Sequence, residues 1–463
     1  MKLDNIYLIK LIHILQSFEY SIKDFSSYIN RFDMIFKKYE YKEKIEYTIK
    51  IKALIIITLI LQIFTISIFY FNIIYFLIAI IFVYILTAYY ILISYMILYP
   101  IDFILKKYIV YKAKRKISKI KDIKIIAITG SYGKTSTTNF IKTLLEKDYI
   151  VFSPGKSINT LLGISKKIND NLKNNTQILI LEVGAYKRGE IREVMKNYPA
   201  DISIITSIGT QHLERFKSIT NIIKAGEEII DYAKKDSIVI ALKEIYDYPF
   251  SKYGVEIKFD KNKKYIKVEY DIKNFENKKT YFSINKNTYY TDLLGYAMIG
   301  NLSLAITCAE IFEIRNIQGK INLIEPSERR MYPILEEGIL YIDDTYNIGE
   351  ESAKKTLEYL NDMKIKNIYK RIFLVTGGIV ERGKESESVN EKYGTLIESV
   401  VEKVFIFDTP YKKYIKYGIK NKSKIIEIKN YKEFEGYKKI FIKGDCILMQ
   451  NEITDQYYFK NNN

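Results

Sequence analysis

The sequence predicts an α/β protein preceded by an N-terminal hairpin of two transmembrane helices. Three observations predict it. Residues 53–98 are almost wholly apolar, about twice the roughly 20 residues that one helix needs to cross a bilayer. From residue 124 onward, short apolar runs alternate with stretches of helical spacing, the pattern of parallel sheets flanked by helices. The first of those runs leads through two glycines into a helix, in Ile125-Ile-Ala-Ile-Thr-Gly-Ser-Tyr-Gly-Lys-Thr-Ser-Thr-Thr138.

The 463 residues leave room for two or three domains. The formal net charge of +18 points to an acidic partner, which is a nucleotide, a nucleic acid or the anionic inner leaflet of a membrane. Cys308 and Cys446 are the only cysteines and lie far apart. They match no zinc or redox spacing, which excludes a disulfide scaffold and predicts free thiols in a reducing compartment. The first 50 residues are too charged, and the apolar run starts too late, for a cleavable signal peptide.

In chain order, residues 1–50 form an amphipathic helical segment, since Tyr7, Leu8, Leu11, Ile12 and Leu15 recur at helical spacing. That face can lie on a membrane or pack on the chain itself. Residues 51–99 form the hairpin, with its tight turn near Asn72. Both flanks are basic: Lys37, Lys38, Lys42, Lys44, Lys50 and Lys52 on one side, Lys106, Lys107, Lys112, Lys114, Arg115 and Lys116 on the other. Both ends are therefore expected in the cytosol, as an even number of spans requires. A basic linker, 100–121, leads to two α/β domains, 122–325 and 326–463, divided near Pro326. Strands are predicted at 124–129, 177–183, 201–208, 236–241, 338–343, 371–376, 403–407 and 445–449, and edge hairpins within the lysine-rich 251–290.

The glycine turn carries the chemistry. Gly130 and Gly133 let the backbone wrap closely around a ligand. Amides at the helix start face an anion, Lys134 adds charge, and the Thr135 hydroxyl can hold Mg²⁺. The pattern Thr-Gly-x-x-Gly-Lys-Thr is a shortened P-loop. Glu182 ends the apolar run Ile178-Leu-Ile-Leu-Glu182, at the strand end where ligands bind in such sheets. It either holds Mg²⁺ beside the cradle or caps a helix. His212 follows another such strand, and alone it reads equally well as a surface loop residue.

Together these residues resemble the Mur ligase family, in its D-alanyl-D-alanine-adding (MurF-type) branch. The resemblance rests on Ile128-Thr-Gly-Ser-Tyr-Gly-Lys-Thr-Ser136, Ser153-Pro-Gly-Lys-Ser-Ile-Asn-Thr160, Leu181-Glu-Val-Gly-Ala185 and Ile208-Gly-Thr-Gln-His-Leu-Glu214. Asn301 with Ala305, Arg330-Met331 and Asp343-Asp-Thr-Tyr-Asn347 extend it. Val375-Thr-Gly-Gly-Ile-Val-Glu-Arg-Gly383 and Gln450-Asn-Glu-Ile-Thr-Asp-Gln-Tyr457 look like a membrane-anchored subgroup of that branch. The implied fold is a central P-loop ATPase domain followed by a C-terminal Rossmann-like domain.

The resemblance implies ATP and Mg²⁺ as cofactors. It assigns Gly130, Ser131, Gly133, Lys134, Thr135, Ser136, Asn301, Arg330 and Asp344 to the nucleotide, with Asn301 on the adenine side. Thr135, Glu182 and His212 would surround the metal, and Lys134, Glu182 and His212 would be catalytic. Asn159, Thr160, Tyr346 and Asn347 would face the substrates. The implied partners are a cell-wall precursor, an amino acid or dipeptide amine and the cytoplasmic membrane, with no nucleic acid. The implied reaction activates a carboxylate as an acyl phosphate and couples it to an amine.

The match also has departures. Gly226 stands where the family carries a carbamylated lysine, 14 residues after the histidine, so either Glu227 or Glu228 takes over its metal or the second metal is absent. Ala297-Met298 replaces a His-Asn pair, and the C-terminal Lys-Gly-Ser is missing. Residues 1–120 replace the family's soluble domain for the UDP of the substrate. A lipid-linked or other polymer precursor, or a degenerate nucleotide-binding membrane scaffold, are the alternative readings.

Overall fold

A computed structural model describes residues 7–18, 20–29, 45–155, 158–209, 213–248, 250–253, 260–276, 279–326, 328–346, 348–380 and 382–451. The chain divides into two units, one built from residues 1–108 with 454–463 and the other from residues 109–453.

The first unit begins with α1 (Tyr7–Ser17) and α2 (Ile22–Ile29). The apolar face of α1, with Leu8, Leu11, Ile12 and Leu15, is buried in a cluster with Ile51, Leu54, Ala88 and Ile91, so the amphipathic segment packs on the chain's own helices. Those helices are α3 (Ile49–Ile68), α4 (Ile73–Ile85) and α5 (Thr87–Ile117). The turn falls where expected, and the Asn72 side chain caps α4 by accepting from the amides of Ile74 and Tyr75. The return arm is not one helix, because it breaks at Leu86. Pro100 lies inside α5 without ending it, so most of the expected linker is helical. Helices α3 and α5 are long and apolar enough to cross a membrane.

Polar side chains join these helices. Thr58 Oγ1 donates to Ser94 Oγ at 2.9 Å, Gln62 Nε2 to Thr87 Oγ1 at 3.0 Å, and Tyr90 OH to Thr65 Oγ1 at 2.9 Å. Positions 58, 62 and 65 lie on one face of α3. At one end of α3, Lys50 pairs with Asp102 at 3.0 Å and lies 4.0 Å over the Tyr20 ring. Thr58 and Ser94 are 0% exposed, whereas Ile63 is 66% and Phe71 97% exposed.

In the second unit a six-stranded parallel sheet has the order β2-β3-β1-β4-β5-β6. Its strands are β1 (Lys124–Thr129), β2 (Val151–Phe152), β3 (Ile178–Glu182), β4 (Ile202–Ile205), β5 (Ile238–Leu242) and β6 (Lys264–Val268). Around it lie α6 (Lys134–Leu145), α7 (Leu161–Asn171), α8 (Glu190–Asn197), α9 (Leu213–Phe216), α10 (Ile219–Asp231), α11 (Lys243–Tyr246), α12 (Tyr296–Ile311) and α13 (Ile317–Ile321). The lysine-rich segment does more than form edge hairpins. It supplies β6 to the parallel sheet and then a separate antiparallel sheet of β7 (Tyr270–Glu276), β8 (Lys279–Ile284) and β9 (Asn287–Thr291).

A second six-stranded sheet follows, in the order β10-β11-β15-β12-β13-β14. It comprises β10 (Tyr332–Glu336), β11 (Ile339–Asp344), β12 (Ile372–Thr376), β13 (Lys403–Phe407), β14 (Ile425–Ile428) and β15 (Cys446–Gln450), all parallel except β10. Helix α14 (Glu350–Ile365) follows β11. Both cysteines are free and buried.

Candidate functional site

The carboxyl end of β1 fixes the site. Gly130 (φ 143°) and Gly133 (φ 86°) occupy backbone conformations that side chains disfavour. A Cβ at Gly130 would meet Thr206 Oγ1 at 2.2 Å, and one at Gly133 would meet Asn301 Oδ1 at 2.3 Å. The loop is therefore closed in by the segment after β4 on one side and by α12 on the other. Tyr132 N donates to Ser207 Oγ at 2.8 Å, and the hydroxyls of Thr206 and Ser207 both donate to Tyr132 O. Ser131 Oγ bonds both the carbonyl and the amide of Gly209. These clasping residues were not singled out from the sequence; two adjacent hydroxyl residues just beyond β4 were the available signal.

Lys134 opens α6, and its ammonium donates to Gly130 O at 2.6 Å. Burial pulls it down to about 8; Glu182 opposes that shift and Arg330 adds to it. Thr135 and Ser136 are buried in the first turn of α6. Thr135 Oγ1 donates to Glu182 Oε2 at 2.8 Å. Strand register explains the meeting, because β3 pairs with β1 so that Glu182 lies opposite Ile128. A hydroxyl and a carboxylate side by side are hard oxygen donors that suit Mg²⁺, which takes few protein ligands and keeps water and phosphate oxygens. Among the described residues no group of three or more His, Cys, Asp or Glu forms a metal cluster. His212 and Asn347 lie outside the described residues.

Asn159 stands at the same strand end, where its carbonyl accepts from Gly184 N at 3.2 Å and its side chain packs on the Gly184 Cα. The hydroxyl of Thr160 caps α7 by accepting from Gly163 N. Asn301 lies against the phosphate loop.

From the second sheet's half, the Arg330 guanidinium lies 4.2 Å over the exposed Tyr346 ring. Asp344 is buried at the end of β11, accepts from Met331 N at 3.2 Å, and meets Gln450 Nε2 at 3.5 Å. Burial pushes Asp344 up to about 7 despite those bonds and the nearby Arg330.

The helix expected to replace the missing lysine behaves differently. A Cβ on Gly226 would meet nothing within 4 Å. Glu228 is buried and accepts from Gly189 N at 2.8 Å and Arg192 N at 3.0 Å, so its carboxylate closes the start of α8. Burial, with Asp231 adding, raises Glu227.

Comparisons with known proteins agree with this geometry. The Mur ligase middle domain matches residues 128–309. The UDP-N-acetylmuramoyl-tripeptide–D-alanyl-D-alanine ligase of Rickettsia prowazekii is 27% identical over 395 residues, 76% of this chain and 81% of its own. The ligase of that name from Bacillus subtilis is 26% identical over 61% of this chain, which spans 62% of the relative's length. For that from Buchnera aphidicola (subsp. Acyrthosiphon pisum) the identity is 31%, and the shares are 61% of this chain and 64% of the relative. The fold is that of the MurF ligase from Thermotoga maritima, solved in complex with ADP, at a TM-score of 0.66 and 22% identity, covering 75% of this chain and 80% of that one. MurF from Acinetobacter baumannii gives 0.64 at 17% identity, with 75% and 77% covered. The chain is thus similar to Mur ligases over the middle domain, residues 128–309, and to MurF ligases over about three quarters of its length.

Proposed function

We propose that the chain is an ATP-dependent carboxylate–amine ligase of the MurF type, working on a cell-wall precursor at the cytosolic face of a membrane. The observation that carries this is one strand-end cluster: Lys134 on the glycine loop, the Thr135–Glu182 pair, and Asn159 packed beside them. The names of the relatives and the ADP in the Thermotoga maritima structure support it.

In this reading the amides of the loop and Lys134 hold the ATP phosphates, and Asn301 supports the loop from the adenine side. Arg330 and Asp344 approach from the C-terminal domain, divided from the central one near Pro326. Thr135 and Glu182 would hold Mg²⁺, a role the resemblance also gives His212, and a bound ion would supply charge compensation for the transferred phosphoryl group. Asn159, Thr160, Tyr346 and Asn347 border the substrates. A carboxylate oxygen attacks the γ-phosphorus and ADP leaves, giving an acyl phosphate. An amine, from an amino acid or dipeptide, then attacks the acyl carbon. Phosphate leaves, the nitrogen loses a proton, and an amide remains.

The membrane assignment rests on an inverted distribution of side chains. In α3 and α5 the hydroxyls and amide face each other, while large apolar side chains face outward. Water favours the opposite arrangement, and lipid favours this one. Basic residues at both ends of the hairpin support a cytosolic location for both.

The test is ADP release by the full chain with wall precursors. Release that needs both a carboxylate precursor and an amine supports the ligase. Nucleotide binding with no turnover on any precursor supports the scaffold reading instead, which the empty position at Gly226 favours. A cysteine at Phe71 is expected to react with an impermeant thiol reagent from outside the cell, while one at Arg115 is not. Labelling at position 115 from outside would overturn the topology.

A further inference from the structure

The open end of the hairpin, away from the Asn72 turn, gathers two ammonium groups on one carboxylate. Lys50 of α3 pairs with Asp102 of α5 at 3.0 Å, and Lys106, one turn further along α5, pairs with the same Asp102 oxygen at 2.8 Å. The Lys50 ammonium also lies 4.0 Å over the Tyr20 ring and 4.9 Å over that of Tyr95. Those two rings are stacked, with centroids 6.1 Å apart. A carboxylate and two aromatic faces thus fix Lys50, whose side chain is 20% exposed. Lys106 is 48% exposed and opens the group to its surroundings.

Charge does not close within this group. Two lysines and one aspartate leave one positive charge, and among the described residues neither lysine has a second acidic partner. Depth along the hairpin points to the anion that completes it. Lys50 and Asp102 each lie eight residues from the Thr58–Ser94 pair, in the same antiparallel register. From Lys50 to Ile68, the end of α3, the rise is about 27 Å at 1.5 Å per residue. A hydrocarbon core is roughly 30 Å thick. With the Asn72 turn at the outer surface, Lys50, Asp102 and Lys106 fall at the level of the inner headgroups. Tyrosines and lysines concentrate there, and the negative charges at that level are lipid phosphates.

We propose that Lys50 and Lys106, held together by Asp102, form a site for one lipid phosphate in the cytosolic leaflet. A phosphodiester carries the single negative charge that the group lacks. Its oxygens accept from the ammonium protons that Asp102 leaves unused. Asp102 keeps the two ammonium groups converged against their mutual repulsion, so the site is formed before the lipid arrives. The ligand is a bilayer phospholipid or the polyprenyl phosphate of a lipid-linked precursor, since both present the same chemistry. The inference rests on the membrane reading of the hairpin and is independent of the ligase reaction.

The test uses the full chain in phosphatidylcholine nanodiscs. These carry a trace of phosphatidylglycerol or of phosphatidylcholine, each spin-labelled on an acyl chain, and electron paramagnetic resonance gives the fraction that the protein immobilises. One uncompensated lysine near an anionic lipid raises affinity about fivefold, so wild type is expected to prefer phosphatidylglycerol by about that factor. Lys106→Gln is expected to abolish the preference, and Lys106→Arg to keep it. Lys50→Gln is expected to match Lys106→Gln; because Lys106 is half exposed, its variants stand even where Lys50→Gln fails to fold. Lys52→Gln removes an equal charge two residues from Lys50, on another face of α3, and is expected to keep the preference. A loss in Lys52→Gln as large as in Lys106→Gln means diffuse charge and overturns the site. Unlabelled polyprenyl phosphate and inorganic phosphate then compete at matched ionic strength. Displacement by inorganic phosphate overturns a lipid site. Displacement by polyprenyl phosphate identifies that lipid as the ligand, and its failure to displace identifies bilayer phospholipid; both results keep the lipid phosphate. Equal immobilisation of the two labelled lipids overturns the site alone. If neither is immobilised, the membrane reading falls and the site with it.

Discussion

The two units use the same chemical groups in opposite ways. In residues 109–453 the apolar strands are the interior: Ile126, Ile128, Leu179 and Leu181 are buried, and polar groups collect at the strand ends. In the hairpin Thr58, Gln62, Thr65, Thr87, Tyr90 and Ser94 face one another, and isoleucines and phenylalanines form the outer surface. A side chain's hydropathy therefore says only which surroundings it prefers. Whether that preference makes a core or a surface depends on what surrounds the unit.

Four tests break or sharpen this contrast. The largest effect is expected from Lys134→Ala, which should lower ADP formation about 10³-fold or more, the loss of several kcal/mol of transition-state stabilisation. Its far-UV circular dichroism should match wild type, and normal turnover would refute the cradle. Next, Ile126→Ala should destabilise the 109–453 unit by about 3 kcal/mol in denaturant titration. Ile63→Ala, at an exposed hairpin position, should leave that titration unchanged. Equal losses would mean that the hairpin interior was misread.

The third concerns pH. Asp344 is raised from 3.8 to about 7 in the folded protein, so folding favours its protonated form. That contribution is complete below the unfolded value and is lost as pH rises through the folded one. Asp344→Asn should therefore melt with wild type at pH 4, and about 2–4 °C above it at pH 8, read by calorimetry without nucleotide. A constant offset at both pH values would refute the buried, near-neutral carboxyl. The smallest effect is expected from Thr58→Val combined with Ser94→Ala, about 0.6 kcal/mol on hairpin association in bilayers, by a steric-trap assay. A loss above about 2 kcal/mol would mean that the hydroxyl pair has more than an ordinary membrane hydrogen bond to offer.

Much of the fold was legible because period and punctuation agreed. The run from Ile125 to Ile128 followed by two glycines could only be a buried strand turning closely into a helix, and Asn72 marked the hairpin turn. The break at Leu86 left no such mark, since the chain stays apolar across it with neither glycine nor proline. Pro100 gave the opposite signal and was carried inside α5. In the site, the meeting of Thr135 with Glu182 beside Lys134 could be read from the glycine loop and the strand end. Glu228 could not, because it bonds the Gly189 amide, whose position depends on the rest of the fold.

The walls around the glycine loop also set an order of assembly during synthesis. Gly130 is closed in by Thr206, and Gly133 by Asn301. Ribosomes add roughly 5–20 residues per second, so about 8–33 s pass between the making of Lys134 and of Asn301. Through that interval the nascent chain holds β1 and its glycines without the helix that packs on Gly133. The loop's final shape is thus a late event in the life of an early segment, and a ribosome stalled between residues 210 and 300 would hold a glycine loop with one wall of two.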